Sequence, residues 1–163
     1  MHPREADLEA LLTALADAQI EFIVVGGVAA VLHGAPTTTQ DLDIVHRRSP
    51  ENVARLAALL ARLDAEIREP GHRHLRPNAQ QLASVGQLNL STLLGPLDPL
   101  GVLHDGRGYD ELLGHTIVMH DGNRRLVVLD LETLIEIKST TGRPKDQLIV
   151  PVLMAIQDEL AKK

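Results

Sequence analysis

Two aspartates separated by one residue, Asp41 and Asp43, form the most chemically suggestive pair in the sequence. Side chains at positions i and i+2 of a strand point to the same face of a sheet, so both carboxylates would share one face. Paired carboxylates of this kind suit a hard divalent cation. The pair follows Gly26-Gly27, and glycines at a strand-to-helix turn let backbone N–H groups approach an anion closely. A phosphate-binding turn beside a metal pair indicates nucleotide chemistry.

Several familiar phosphate and metal motifs fit this stretch poorly. Gly26-Gly27 lacks the G-x-G-x-x-G pattern of dinucleotide-binding folds and the G-x-x-x-x-G-K-[ST] pattern of the P-loop. The aspartate pair superficially has the spacing found in phosphatases and some glycosyltransferases, in which an apolar strand comes before the aspartates. Here the polar run 37–40 comes before them and the apolar residues 44–45 follow. These alternatives are therefore disfavoured.

The hydrophobic pattern predicts the elements that must position these residues. Ser49 and Asp130 are predicted to cap helices, Asp121-Gly122 to form a hairpin turn, Gly95-Pro96 to bend the chain, and Pro151 to kink or restart the last helix. Strands are predicted at 21–25, 41–45, 87–93, 116–119 and 126–129, helices at 8–19, 27–32, 50–63, from 131 and from about 144, and strand fragments with loop at 67–78. The expected fold class is α+β, one mixed β-sheet flanked by helices, in a single domain spanning residues 1–163.

Composition restricts the possible functions. Phe22 and Tyr109 are the only aromatic rings besides histidine, so an extended base-stacking platform for single-stranded nucleic acid is excluded. The net charge of −6 argues against broad non-specific binding to nucleic acid. Without cysteine there is no disulfide, thiolate metal site or cysteine nucleophile. The polar, acidic start of the chain is unlike a signal peptide, and the long uncharged runs are unlike membrane spans, so a cytoplasmic protein is expected.

The glycine pair and the aspartates together resemble the nucleotidyltransferase superfamily typified by DNA polymerase beta. Its signature is an apolar strand, Gly-Gly or Gly-Ser, roughly a dozen residues, and then Asp-h-Asp-h, where h is apolar. This sequence has Gly26-Gly27, thirteen intervening residues, and then Asp41-Leu42-Asp43-Ile44. The resemblance covers about residues 20–160 and implies a minimal nucleotidyltransferase-like fold.

Within that superfamily the chain resembles small bacterial proteins related to abortive-infection and toxin–antitoxin nucleotidyltransferases. These commonly carry His-Gly before the acids, a threonine two residues ahead of the first aspartate, and a late Lys…Gly-Arg-x-Lys-Asp block. The matching residues here are His33-Gly34, Thr39, and Lys138 with the run Gly142-Arg143-Pro144-Lys145-Asp146. One departure is Thr37, because many relatives have an arginine four residues before the first aspartate.

The resemblance implies Mg²⁺-dependent transfer of a nucleoside monophosphate from an NTP, with two Mg²⁺ ions. Asp41 and Asp43 would hold the metals. A third carboxylate on a neighbouring strand would complete the metal site and help to deprotonate the acceptor, and Asp98 is the candidate because the relatives' Gly-x-Leu-Asp pattern ends on it. Asp105 and Asp110 are weaker candidates, since neighbouring glycines indicate a mobile loop.

The residues implied to bind the nucleotide are Gly26, Gly27, Thr39, Lys138, Arg143 and Lys145. Lys138 lies seven positions after Leu131, so it shares the apolar face of that helix and points inward. An inward lysine needs an anion. That anion is either Asp146 or Glu136 in a structural ion pair, or a phosphate oxygen or an aspartate of the metal site.

The remaining polar candidates each have two interpretations. Arg143 and Lys145 are either solvated loop charges or residues along the path of the triphosphate or an acceptor RNA. Thr39 is either a local turn hydroxyl or a residue that orients Asp41. The basic run 72–76 is either a metal- or RNA-binding segment or a solvated loop. The solvated loop is expected because no partner acid lies at metal-ligand spacing, and the other histidines are expected to be solvated as well.

Three functions remain open from the sequence. The first is nucleotidyl transfer to a tRNA end or to a partner protein, such as a cognate antitoxin. The second is a catalytically silent, antitoxin-like nucleotide-binding partner. The third is a small-molecule nucleotidyltransferase of the antibiotic-modifying kind.

Overall fold

A seven-stranded mixed β-sheet runs through the residues that the structure, a computed structural model, describes, namely 6–68 and 74–163. Its strands are β1 Phe22–Val25, β2 Leu42–His46, β3 Glu66–Ile67, β4 Leu90–Thr92, β5 Gly95–Leu100, β6 Thr116–Asp121 and β7 Arg124–Leu129. The helices described in the same residues are α1 Leu8–Asp17, α2 Gly26–Leu32, α3 Pro50–Arg62, α4 Ala79–Ala83, α5 Tyr109–Leu112, α6 Leu131–Thr140 and α7 Pro144–Ala161, with a 3₁₀ turn at Leu113–His115.

The strand order is β3-β4-β5-β2-β1-β7-β6. β1 lies near the centre, antiparallel to β2 and parallel to β7, while β2 is parallel to β5. The remaining pairs, β3–β4, β4–β5 and β6–β7, are antiparallel. The sheet is therefore mixed and the fold class is α+β, as predicted.

The local sequence explains the elements around the glycine pair. All four residues of β1 are buried apolar side chains, as expected for a central strand covered on both faces. The chain enters α2 at Gly26, whose φ of +66° suits glycine. It then returns through the polar residues 37–40 into β2. Because β1 and β2 are antiparallel, the last residue of β1 and the first residues of β2 lie beside each other at the same end of the strands.

Both predicted helix caps are confirmed. The side chain of Ser49 accepts a hydrogen bond from the N–H of Asn52, and Pro50 occupies the first turn of α3. The side chain of Asp130 accepts from the N–H of Thr133 at 2.7 Å and begins α6 directly after β7. The β6–β7 hairpin also turns as predicted, with Gly122 at φ +62°.

The prediction for residues 87–100 was partly wrong. The predicted strand 87–93 shrinks to Leu90–Thr92, and the predicted bend at Gly95-Pro96 is instead the start of β5, which pairs with β4 and with β2. Two prolines in β5 hid the strand, because proline cannot donate to a sheet ladder. Asp98 consequently lies within a strand rather than after one.

Helix α4 was missed by sequence reasoning, although the sequence contains a signal for it. Asn78 and Gln81 form a reciprocal capping box, in which each side chain accepts from the other residue's backbone N–H. The expectation of a solvated side chain was wrong for His46, which is buried at the end of β2. It anchors this helix, since its Nε2 lies 2.6 Å from the carbonyl oxygen of Leu82. Burial lowers the pKa of His46, so the ring is neutral and Nε2 is the donor.

The last helix continues through Pro151 and does not restart there, contrary to one of the two predicted outcomes. Pro151 is exposed, so water can satisfy the carbonyl that loses its partner. The core is aliphatic apart from Phe22, as the composition predicts. No helix within residues 6–68 and 74–163 combines the length and apolarity that a membrane span requires.

Candidate active site

A cavity of about 480 Å³ lies where the end of β1 meets the start of β2. Pockets for small ligands usually have volumes of this order. All nine candidate residues from the sequence line it: Gly26, Gly27, Thr39, Asp41, Asp43, Asp98, Lys138, Arg143 and Lys145. They come from three separate parts of the chain, so the fold is what brings them together.

Asp43 and Asp98 face each other across the parallel strands β2 and β5, where they are register partners. Their carboxyl groups lie close enough to interact directly. Burial, the charge and hydrogen bond of Asp98 and the charge of Asp41 raise the pKa of Asp43 to about 7, although Lys138 opposes the shift. Two adjacent buried carboxylates repel each other, which favours a proton on the pair.

Asp98 is also bound by an arginine. Burial raises the pKa of Asp98, and the charge of Arg68 opposes that rise. The Nη2 atom of Arg68 lies 2.7 Å from Oδ1 of Asp98. Asp98 thus lies between the Arg68 guanidinium and its register partner Asp43.

The backbone of the glycine pair approaches these side chains closely. A Cβ atom on Gly26 would lie 2.3 Å from Oδ2 of Asp43, and one on Gly27 would lie 2.8 Å from Oγ1 of Thr39. Thr39 itself donates to the carbonyl oxygen of Asp41 at 3.2 Å, which is the local turn role. The two glycines therefore leave the space into which the aspartate and threonine side chains fit.

Replacing Gly26 by alanine is expected to impair the site severely. The substitution places a side chain at φ +66° and forces the Asp43 carboxylate to move, so we expect about 1–3 kcal/mol of destabilisation and at least a tenfold loss of any activity of the site. Urea denaturation and an activity assay measure the two effects. Gly34→Ala is the matched control, because Gly34 also has a positive φ, +107°, but nothing lies within 4 Å of its Cβ position.

The control separates strain from collision. Gly34→Ala should lose stability through backbone strain and keep its activity. Equal losses of activity in both variants would contradict the role given to the contact between Gly26 and Asp43.

Lys138 is buried, and its Nζ lies 3.1 Å from Oδ1 of Asp146. Thr141 at 2.6 Å and Arg143 at 3.1 Å both contact Oδ2 of the same carboxylate. Although burial opposes it, these hydrogen bonds and charges hold the pKa of Asp146 below its usual range. The structural partner of Lys138 is therefore Asp146 rather than Glu136. Lys138 nevertheless lines the cavity and lowers the pKa of Asp43.

Sequence reasoning missed Arg68 and His104. His104 lines the cavity, and its Nε2 lies 3.1 Å from the carbonyl oxygen of Ile137 and 3.1 Å from Oγ1 of Thr140. The carbonyl contact requires the proton on Nε2, which leaves Nδ1 as an acceptor. Neither residue belongs to a short motif, so no local signal marks them.

Several further residues that line the cavity are aliphatic. These residues are Val25, Val85, Leu100, Val102, Leu103, Leu129, Leu134 and Ile137. The backbone of Ser84–Val85 crosses directly over Gly101, where a Cβ atom would lie 2.2 Å from the Ser84 carbonyl oxygen. A ligand in this cavity thus meets both charged groups and aliphatic side chains.

Other sequence candidates lie outside the cavity. Asp105 pairs with Arg107 at 2.8 Å, and Asp110 lies in α5 near Arg47 at 3.6 Å. Thr37 is exposed. Within the basic run 72–76, His74 pairs with Glu66 and Arg76 with Asp64, while His72 and Arg73 lie outside the described residues.

The donor chemistry of the site suits Mg²⁺. In the described parts of the chain, no three His, Asp or Glu side chains are arranged to hold one metal ion. Mg²⁺ usually takes only one or two carboxylates and completes its shell with water and phosphate oxygens. The repulsion among the buried carboxylates, which raises the pKa of Asp43, is what a bound cation would relieve. The aspartates therefore fit a Mg²⁺ site completed by a phosphate ligand.

The sheet and its helices form the nucleotidyltransferase fold, which solved structures share. The lincosamide antibiotic adenylyltransferase LnuA, in its lincomycin-bound form, is 12% identical, with a TM-score of 0.62 over 91% of this chain and 95% of LnuA. TM1012 of Thermotoga maritima, provisionally named a nucleotidyltransferase, is 16% identical, with a TM-score of 0.56 over 96% and 91% of the two chains. The antibiotic-resistance factor ANT(2'')-Ia is 13% identical, with a TM-score of 0.56 over 94% and 82%.

At these identities the likeness concerns the fold. No protein-family profile matches the sequence, and no curated protein matches it. The function must therefore be argued from the residues of the cavity.

Proposed function

We propose that this chain is a nucleotidyltransferase that moves a nucleoside monophosphate from an NTP to an acceptor hydroxyl. The observation that carries the proposal is the pairing of Asp43 and Asp98 across adjacent strands, in a cavity that the glycine pair and Lys138 also line. Carboxylates and cations that line one cavity suit a metal-bound polyphosphate.

Asp41, Asp43 and Asp98 are the proposed ligands of two Mg²⁺ ions, with Asp41 and Asp43 as the principal pair. When bound, the ions stabilise the attacking and the leaving oxygen of the transfer. Lys138, Arg143 and Lys145 are the proposed partners of the triphosphate. The remaining proposed nucleotide contacts are the backbone at Gly26 and Gly27 and the hydroxyl of Thr39.

Asp98 is the proposed acceptor of the proton in the transfer step. The acceptor oxygen forms a bond to the α-phosphorus while the bond from that phosphorus to the bridging oxygen breaks. Pyrophosphate leaves, and the proton of the acceptor hydroxyl passes to the Asp98 carboxylate. A pKa raised by burial makes Asp98 a stronger base than an exposed aspartate.

Two acceptor classes are supported by different observations. The resemblance to abortive-infection and toxin–antitoxin proteins favours a tRNA end or a partner protein. The net charge of −6 and the fold shared with two antibiotic-modifying proteins favour a small-molecule hydroxyl. A catalytically silent, antitoxin-like protein would bind nucleotide without transfer.

Labelling with α-³²P NTPs tests the proposal. The protein is incubated with each NTP and Mg²⁺. Separate reactions contain bulk tRNA, a cell lysate that supplies partner proteins, or aminoglycoside and lincosamide antibiotics. A reaction without added acceptor tests labelling of the protein itself. We expect label to enter one acceptor class and EDTA to abolish the labelling, because without a metal ion the carboxylates of the cavity repel the triphosphate.

The control without acceptor distinguishes transfer from nucleotide binding. Nucleotide binding with no labelled product in any reaction would favour the silent protein and refute the transferase. Labelling that persists in EDTA would refute the metal dependence.

A further inference from the structure

Arg68 is a fixed cation at the edge of the acidic site. It follows β3, which is two strands away from β5 in the sheet. Its guanidinium donates to Asp98 at 2.7 Å and to the carbonyl oxygen of Leu90 in the intervening strand β4. Its backbone N–H donates to the carbonyl oxygen of Asn89 at 2.8 Å. The guanidinium is thus held by two neighbouring strands.

The ion pair is asymmetric in its exposure. The side chain of Asp98 is 7% exposed, whereas that of Arg68 is 33% exposed. Asp98 therefore cannot turn to solvent, but the arginine can be displaced toward water. An arginine side chain also stays charged at every pH at which a protein is folded, so it cannot release Asp98 by losing a proton.

The charge balance of the site depends on this arginine. Asp41, Asp43 and Asp98 bring three carboxyl groups to the cavity. Lys138, a cation that lines the cavity, is already paired with Asp146. Arg68 is in direct contact with Asp98, so it supplies positive charge to the carboxylates when no metal ion is bound.

We propose that Arg68 is an internal counter-cation that competes with divalent metal ions for Asp98. This inference rests on the proposed metal-dependent function. Without a metal ion, Arg68 balances the acidic cluster and stabilises the fold. A metal ion must displace the Arg68 charge or share Asp98 with it, so Arg68 weakens the affinity for metal until phosphate oxygens of the NTP add further ligands. Metal and nucleotide consequently bind together.

Metal binding by Arg68→Gln tests the inference without NTP or acceptor. Mn²⁺ serves as the probe, and its affinity is measured by calorimetry and by the electron paramagnetic resonance signal of the free ion. We expect Arg68→Gln to bind Mn²⁺ at least about tenfold more tightly than the natural chain, which corresponds to about 1.4 kcal/mol. Arg76→Gln is the matched control, because Arg76 pairs with Asp64 and Glu66 rather than with an aspartate of the site. Its affinity should be unchanged.

Thermal unfolding provides a second readout. In EDTA, Arg68→Gln should unfold at a lower temperature than the natural chain, because its carboxylates lack a counter-cation. Added Mg²⁺ should raise the unfolding temperature of Arg68→Gln by more than it raises that of the natural chain. If Arg68 served only as the partner in a structural ion pair, replacing it by glutamine would lower the unfolding temperature equally with and without Mg²⁺.

The outcomes are distinguishable. Equal or weaker Mn²⁺ binding by Arg68→Gln would overturn the inference and leave the proposed function standing. Absence of Mn²⁺ binding in both proteins, with and without NTP, would overturn the metal-dependent function and this inference with it. If Arg68→Gln does not fold, Arg68→Lys replaces it, since lysine keeps the charge that balances the carboxylates but lacks the planar guanidinium that donates to both Asp98 and the Leu90 carbonyl oxygen, so a metal ion displaces it more easily. The lysine variant should bind Mn²⁺ more tightly than the natural chain, and equal affinity would overturn the inference.

Discussion

Asparagine in place of Asp43 is expected to abolish nucleotidyl transfer while the protein stays folded. The amide has the shape of the carboxyl group and can still donate to Asp98, but it cannot supply a negative charge to a metal ion. We expect labelling to fall by at least about a thousandfold, since a principal metal ligand is lost. Single-turnover labelling at saturating NTP and Mg²⁺ measures the loss.

The same substitution should change how stability depends on pH. In the folded protein without metal, the pKa of Asp43 is about 7 against an ordinary value of 3.8. The folded state therefore retains a proton that the unfolded chain releases between these values. This stabilising contribution is complete below pH 3.8 and is lost as the pH rises through about 7.

Asp43→Asn removes that dependence. In EDTA we expect the variant to be more stable than the natural chain at pH 8, by about 2 kcal/mol, and the difference to shrink toward pH 5. Urea denaturation at the two pH values measures it. Asp110→Asn is the control, because Asp110 lies in α5 outside the cavity. A folded Asp43→Asn variant that keeps its activity would contradict the assignment of Asp43 as a metal ligand. An unfolded variant would contradict the expectation that the substitution leaves the fold intact.

Removing the buried charge of Lys138 is expected to have the second large effect. Lys138 and Asp146 have side chains only 10% and 9% exposed, and losing one partner of a buried pair costs about 3–5 kcal/mol. For Lys138→Met we expect a loss of stability at the low end of this range, about 3 kcal/mol, because Arg143 and Thr141 still contact Asp146. Urea denaturation measures this loss, and calorimetric titration with NTP and Mg²⁺ should show weaker nucleotide binding.

A second substitution separates the structural role of Lys138 from its proposed contact with phosphate. The double variant Lys138→Met with Asp146→Asn no longer carries an unpaired charge, so it should recover most of the stability. Nucleotide binding should stay weak. If stability and nucleotide affinity return together, then Lys138 serves only as the ion-pair partner of Asp146.

Sequence reasoning succeeded where the signal was local. The strand that ends at Gly26, the helix after it and the aspartates at the start of the next strand are all encoded within about twenty residues. Burial and turn chemistry act over that distance, so the pattern predicts the geometry. The N-caps at Ser49 and Asp130 were predictable for the same reason.

Sequence reasoning failed where tertiary contacts override local preference. β5 contains two prolines and would not form a strand alone, but pairing with β2 on one side and β4 on the other stabilises it. Arg68 reaches Asp98 across an intervening strand, and His104 reaches the carbonyl of Ile137 in α6. No spacing rule connects residues that lie 30 or more positions apart. The capping box at Asn78 is different, since that signal was present in the sequence and was overlooked.

The register between β2 and β5 has a consequence for how this chain tolerates changes in length. Side chains alternate between the two faces of a strand, so deleting one residue of β5 ahead of Asp98 would turn its carboxylate away from Asp43. An insertion between the two strands, outside the segments that pair with β5, would leave the register intact. The number of residues between the two acids is therefore free to vary during evolution, whereas their position on the strands is not. Distant homologues of this chain should be sought by strand position rather than by a fixed interval in sequence.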